Sequence, residues 1–199
     1  MARTRAEDFE EKQHQLLLTA SHVFARQGMD KASMSQIAAQ AGVSKSLLYH
    51  YYPSRDALIF AIIHTHLDEL DRRLDAAMDP ALGPREQLEA FVLAVLESYR
   101  GADDRHTVQL NAGAALTEDQ RSRIRTIERR IVRRFSAVIR DMHPELDRPE
   151  RPLLMPVTMS LFGMMNWVYM WFREDGPISR ADYASVATTL ILEGIKGVR

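Results

Sequence analysis

The chain lacks one residue type and several well-known motifs, and each absence excludes a class of protein. The 199 residues include no cysteine, which excludes a disulfide framework and a thiolate metal site. No apolar run reaches the roughly eighteen residues of a membrane helix, and no signal peptide opens the chain. We therefore expect a protein of the cytoplasm without a membrane partner.

Catalytic signatures are also missing. The sequence contains no G-x-S-x-G elbow, no Walker phosphate loop and no H-E-x-x-H zinc motif. His64 and His66 are separated by one residue, so on a helix their rings point in different directions. We predict no catalytic residue, no metal ligand and no cofactor, and thus a protein that is not an enzyme.

A strongly basic composition is absent as well. The formal net charge is −1, so any contact with nucleic acid must depend on local charge. Residues 1–55 hold seven Lys or Arg against five acids, which is only a weak basic bias. Charge alone does not predict DNA binding.

The most informative segment is a pair of short helices joined by a tight turn. Ser33 and Gln36 have the spacing of a capping box at the start of the first helix. Gly42 stands where the chain must turn sharply. Ser44 is placed to cap the second helix, Lys45–Tyr51, whose polar residues face outward. This pattern predicts a helix-turn-helix, whose second helix fits the major groove of DNA.

The same segment resembles the tetracycline-repressor-like (TetR) family of bacterial transcription regulators. The resemblance covers about the first sixty residues. The residues that carry it are Ala20, Phe24, Gly28, Ile37, Ala38, Ala41, Gly42, Val43, Ser44, Leu48, Tyr49, Pro53, Ser54 and Leu58. It implies an all-α homodimer with a DNA-binding domain at residues 1–55 and a helical effector-binding and dimerisation domain at 56–199.

The remaining sequence fits this plan in length and helical periodicity. Apolar residues at spacings of three and four predict about nine helices and no strands. Helix 1 is predicted from about Ala6, after Arg3 and Arg5, which form either a minor-groove arm or a solvated tail. Helix 4 is predicted to run without a linker from Ser54 to about Met78, and helix 8 from about Leu153 to Arg173.

Polar residues of the helix-turn-helix are the candidates for DNA contact. Hydroxyl, imidazole and ammonium groups bind phosphates and base edges, whereas Leu47 either packs on a thymine methyl or faces its own domain. Arg55 and the start of helix 4 suit a phosphate. The predicted set is Ser33, Ser35, Gln36, Ser44, Lys45, Ser46, Leu47, Tyr49, His50, Tyr51 and Arg55.

Helix 8 is apolar on nearly every side. Residues 155–172 hold five Met and five aromatic side chains, so this helix is expected to be buried on more than one face. With helix 9 it predicts a four-helix dimer seam, and Met and aromatic residues also suit an apolar ligand. The predicted dimer interface is Phe162, Met165, Tyr169, Val186, Leu190 and Ile191. The predicted effector site is Phe91, Val95, Tyr99, Arg129, Arg133, Met164, Trp167 and Trp171.

Helix 7 carries seven arginines within fourteen residues, which indicates either a solvated face or a site for a polyanion. Residues 166–179 loosely resemble the branch of the TetR family that senses CoA thioesters in sterol, fatty- or aromatic-acid catabolism. We expect a repressor that binds palindromic double-stranded operator DNA as a homodimer and is released by an apolar or acyl-CoA effector. A DNA-binding or scaffold protein without an effector, and a small helical enzyme, remain alternatives.

Overall fold

A computed structural model describes residues 2–112 and 115–198, with side chains from residue 11 onward. Within these ranges the chain is all-α, as predicted, and forms nine α-helices. Their bounds are α1 Ala2–Gln27, α2 Met34–Gln40, α3 Lys45–Tyr51, α4 Arg55–Ala76, α5 Pro84–Tyr99, α6 Asp103–Asn111, α7 Glu118–Met142, α8 Leu154–Asn166 and α9 Arg180–Ile195.

The backbone contacts divide the chain into two compact units. The first unit combines residues 1–67 with 101–125, and the second combines 68–100 with 126–199. Both α4 and α7 continue from one unit into the other as unbroken helices. The division by contacts differs from the predicted boundary between residues 55 and 56, which concerns DNA binding and stays a prediction.

The core of the first unit is built from the apolar stripes of its helices. Phe24, Ile37, Leu48 and Leu58 are almost completely buried. Helices α1 and α6 pack against each other, and His22 Nδ1 lies 2.9 Å from Asp104 Oδ2. The three helices that carry the predicted DNA-binding residues are therefore anchored by the side chains that the helical period had placed inward.

The core of the second unit is aromatic at its centre. Phe135 of α7 lies between Phe91 of α5 and Phe162 of α8, with ring centroids 5.5 and 4.9 Å away. Helix α9 packs on both α5 and α8. Capping boxes begin two of the helices, with Thr117 and Gln120 at the start of α7 and Ser179 and Asp182 at the start of α9.

Helix α8 is shorter than predicted, and the reason lies in the following segment. The helix ends at Asn166, and a 3₁₀ turn, Val168–Met170, buries Val168. The chain then brings Glu174 to the buried guanidinium of Arg180, which also donates from Nη1 to the Leu96 carbonyl over 2.6 Å. This tertiary contact overrides the helical pattern of the apolar run.

Two smaller predictions also need correction. Helix α1 begins at Ala2, so the backbone at residues 3 and 5 is helical and does not form an arm. Ala, Arg and Glu favour a helix, and no breaker separates them from Phe9. No strands were predicted, yet residues 147–152 form an antiparallel hairpin in which Arg148 pairs with Arg151. Strands of two residues are too short to show a periodic pattern.

Across the described ranges, no helix combines the length and hydropathy that crossing a bilayer requires.

Candidate nucleic-acid interface

The helix-turn-helix is fixed by local hydrogen bonds that the sequence predicts. The Ser33 N–H donates to Gln36 Oε1 over 2.9 Å, and the Gln36 N–H donates to Ser33 Oγ over 3.3 Å. Gly42 has a φ of +66°, a conformation in which a side chain would be strained. The next N–H, of Val43, donates to the Ala38 carbonyl over 3.0 Å and closes the turn.

Helix α3 buries a single residue and exposes most of its polar side chains. Leu48 is completely buried, and Ser44 Oγ accepts the Leu47 N–H over 3.1 Å at the helix start. The side chains of Lys45, Ser46, Tyr49 and His50 are exposed. Lys45 Nζ lies 5.8 Å from the centre of the Tyr49 ring, so a cation and an aromatic hydroxyl share one edge of the surface. We call α3 the reading helix.

Leu47 lies on the other edge of the reading helix, beside α1. It is 38% exposed and borders a cleft of about 480 Å³ together with Lys12 and Gln15. The structure thus places Leu47 partly against its own domain, one of the two predicted positions. Lys12 is exposed at the same cleft and was not among the predicted residues, because it lies more than thirty residues before the reading helix.

The α2 residues of the predicted set have a structural role as well. Ser33 and Gln36 bind each other in the capping box, while Ser35 is exposed between them. Their positions leave all three side chains at the surface of the first unit.

Two of the predicted residues, Tyr51 at the end of the reading helix and Arg55 at the start of α4, are less exposed than Lys45 or Tyr49. Arg55 is half-buried and donates from Nη1 to the Met29 carbonyl over 2.9 Å, which ties the start of α4 to the loop before α2. Tyr51 is half-buried between His50 and Tyr52, with ring centroids 5.8 and 6.4 Å away. Burial, and secondarily the neighbouring Tyr51, raises the pKa of the Tyr52 hydroxyl.

The predicted dimer residues divide by burial. Phe162 and Met165 face the protomer core, at 7% and 0% exposure, so neither presents a surface to a second copy. The helical period puts them on the side of α8 that packs inward, which corrects their assignment. Val186 and Leu190 are exposed on α9, whereas Tyr169 and Ile191 are half-buried.

The predicted effector residues likewise divide between core and surface. Phe91 and Val95 are fully buried, and Tyr99 is buried with its hydroxyl donating to Asn166 Oδ1 over 2.8 Å. Burial raises the pKa of the Tyr99 hydroxyl. Arg129, Arg133, Trp167 and Trp171 are exposed, and Met164 is half-buried.

The early end of α8 explains the position of the two tryptophans. Trp167 and Trp171 follow the helix, so they do not continue its inward face. Among the described residues, no group of three or more His, Cys, Asp or Glu side chains is arranged to hold a metal ion.

Comparison with known proteins shows which family this chain belongs to. Residues 16–62 match the family model described as bacterial regulatory proteins of the tetR family. Residues 81–195, more than half of the chain, match the tetracyclin repressor-like C-terminal domain. The chain belongs to the TetR family. It is therefore a DNA-binding transcriptional regulator of the helix-turn-helix type.

Solved structures resemble this regulator over nearly its whole length. A TetR-family regulator from Bordetella parapertussis 12822 is 32% identical, with a TM-score of 0.83, and the match covers 93% of this chain and 96% of that one. A structure of AibR in complex with isovaleryl coenzyme A and operator DNA is 25% identical, with a TM-score of 0.75, over 90% of this chain and 97% of that one.

Two mycobacterial regulators are also similar in sequence. The repressor KstR2 of Mycolicibacterium smegmatis is 24% identical over 92% of this chain and 90% of its own length. The activator FasR of the same species is 36% identical, but the match spans 44% of this chain and only 40% of FasR.

Proposed function

We propose that this TetR-family regulator is a homodimeric repressor that leaves its operator when it binds an effector of the acyl-CoA type. The observation that carries the proposal is the reading helix, which is anchored by Leu48 and exposes Lys45, Ser46, Tyr49 and His50. Two such helices in successive major grooves would read a palindrome whose half-sites lie about one helical turn, or a multiple, apart.

Exposed apolar side chains on α8 and α9 support dimerisation. Met155 and Met159 lie one turn apart on α8, and Val186 and Leu190 do so on α9, with exposures of 49–60%. The two helices pack on each other within the protomer. Monomeric proteins rarely leave many large apolar residues in contact with water, so a second copy is the expected cover for these side chains.

The arginines of α7 support an anionic effector. Arg121 and Arg125 form ion pairs with Glu118, and the guanidinium of Arg123 lies 4.9 Å from the centre of the Phe60 ring. By contrast, Arg129 and Arg133 are exposed, and the described residues supply neither with a partner. Phosphate groups bind guanidinium in a bidentate manner, and a CoA thioester offers several of them. The related AibR structure, which contains isovaleryl coenzyme A, points in the same direction.

Repression is the favoured direction of control. The relative named a repressor, KstR2, matches nearly the whole chain, whereas the relative named an activator, FasR, matches less than half of it.

The test begins by selecting an operator from a random duplex library with the purified dimer. Fluorescence anisotropy on that duplex is then measured with increasing salt, and with an acyl-CoA or its free acid. We expect affinity to fall steeply with salt and the thioester to release the DNA where the free acid does not. Failure to select any sequence would contradict the DNA-binding role. Release that is equal for both compounds, or absent for a panel of thioesters, would contradict the acyl-CoA effector.

A further inference from the structure

A buried carboxylate joins α4 to α7 in the second unit. The side chain of Asp71 is 7% exposed. It accepts from Arg130 Nε over 2.5 Å and from Arg134 Nη2 over 3.1 Å. Arg134 is itself mostly buried and extends to Asp75, one turn further along α4, over 2.7 Å. Two arginines of α7 thus hold one carboxylate of α4, and only one of them has a second acid as partner.

Arg130 is the exposed member of this pair. Its side chain is 50% exposed, and its contact with Asp71 uses Nε. The two terminal amino groups of Arg130 have no hydrogen-bond partner within the described part of the chain. This guanidinium is therefore able to bind a second anion from the solvent side.

Arg130 also lies near Arg129 and Arg133, for which the described residues supply no partner. Arg133 follows Arg129 by four residues and Arg130 by three, so on the helix it is a neighbour of both and links the three into one region of the surface. Glu128 is the one acidic residue that the sequence places between Asp119 and Asp141. We call Arg129, Arg130 and Arg133 the arginine cluster. Of these three arginines, Arg130 is the one that contacts Asp71.

We propose that the arginine cluster binds the phosphate groups of the effector and that phosphate competes with Asp71 for Arg130. The inference rests on the proposed function, since it assumes a phosphate-bearing effector. A phosphate oxygen can engage the free amino groups of Arg130 and draw its guanidinium toward solvent. Asp71 then keeps its contact with Arg134, so no buried carboxylate loses its last partner. The exchange is accordingly inexpensive compared with breaking a buried pair.

Asp71 lies on α4, so replacing Asp71 by phosphate as the partner of Arg130 can affect DNA binding through this helix. Helix α4 is unbroken from Arg55 to Ala76, and its first residue follows the reading helix closely. Loss of the Arg130 contact removes one of the ties that fix α4 to α7. Suppose that phosphate favours the state without the Arg130–Asp71 contact and that operator DNA favours the state with it. Thermodynamic linkage then requires that each ligand weakens the binding of the other by the same factor.

Isothermal titration of the dimeric regulator with coenzyme A, and with pantetheine as a probe that lacks the phosphates, tests the competition. Asp71→Asn removes the internal competitor, so we expect coenzyme A to bind roughly fivefold more tightly, the scale of a partly exposed ion pair. Arg130→Gln should weaken coenzyme A several-fold, leave pantetheine unchanged and abolish the gain in the double variant. Arg125→Gln, on the same helix but paired with Glu118, is the matched control and should change neither probe.

Two results would overturn the inference. One is weaker or unchanged coenzyme A binding by a folded Asp71→Asn protein, because a purely structural aspartate predicts that outcome. The other is an equal gain from Asp71→Asn with and without Arg130. If the Asp71→Asn protein does not fold, unchanged coenzyme A binding by the Arg130→Gln protein would by itself overturn the inference. Operator release by an acyl-CoA alongside any of these results would leave the proposed function standing while the exchange fails.

Discussion

Leu190 is exposed to 60% although it is a large apolar residue near the middle of α9. If α8 and α9 form the dimer surface, Leu190 becomes buried when two copies meet. The substitution Leu190→Lys places a charge there, which strongly opposes burial. We therefore expect Leu190→Lys to yield a folded monomer, because the exposed side chain contributes little to the protomer core.

The size of the effect follows from the exposed fraction. Complete burial of a leucine side chain is worth about 1.5–3 kcal/mol. With 60% of Leu190 left to bury, each copy contributes about 1–2 kcal/mol, and a symmetric interface doubles this to about 2–4 kcal/mol. The dimer dissociation constant should therefore rise about 30- to 700-fold. Desolvation of the lysine ammonium increases the effect further.

Sedimentation equilibrium over a range of concentrations measures this constant directly. The matched control is Leu110→Lys, since Leu110 is also a helical leucine and is 49% exposed, but lies on α6. We expect the control to stay dimeric and both variants to keep their helical circular dichroism. A Leu190→Lys protein with an unchanged dissociation constant would refute the assignment of α9 to the interface.

Three further predictions concern the reading helix and the first turn of α9. Lys45→Ala with Tyr49→Ala should abolish sequence-specific binding in a gel shift while the protein stays dimeric. Arg180→Leu should lower the free energy of unfolding in urea by roughly 1–3 kcal/mol, because a buried carbonyl loses a charged donor. Hydrogen bonds from the Ser179 side chain and backbone lower the pKa of Asp182. Its stabilising effect is therefore complete above the ordinary aspartate pKa and is lost as pH falls through the lowered value.

Each of these predictions has a result that contradicts it. An unchanged operator shift by the double alanine variant would remove the reading role of α3. Equal urea midpoints for Arg180→Leu and the unmodified protein would show that the buried guanidinium contributes no net stability. For the cap of α9, the test compares thermal midpoints of the Asp182→Asn variant and the parent from neutral to acidic pH. The difference should shrink on acidification, and a constant difference would argue against the pKa-linked effect.

Local chemistry made the DNA-binding part of the fold predictable. The capping box of Ser33 and Gln36, the left-handed Gly42 and the bounds of α3 all depend on contacts between residues a few positions apart. Such contacts leave a readable spacing in the sequence. The exposure of Lys45 and His50 followed from the same helical period. By contrast, the hydrogen bond from Arg55 to the Met29 carbonyl could not be predicted, because the two residues are twenty-six positions apart and no local spacing indicates the contact.

The C-terminal half was less predictable because distant contacts decide it. The apolar run after Asn166 predicts a continuing helix. The helix ends there instead, because the buried Arg180 binds Glu174 and the Leu96 carbonyl. The arginines of α7 were visible as a charged face. Arg121 and Arg125 form ion pairs with Glu118 of the same helix, whereas Arg130 and Arg134 bind Asp71 of α4, far away in the sequence. Periodicity shows which side of a helix is polar but not which charges meet.

The unbroken course of α4 constrains how this regulator can be recombined with others. A chimera that exchanges the DNA-reading end must be joined within a single helix, Arg55–Ala76. Adding or deleting one residue at that joint would turn everything beyond it by about 100° and displace it by about 1.5 Å along the axis. If two copies read a palindrome as proposed, only exchanges that conserve the residue count would keep both reading helices in phase with their half-sites.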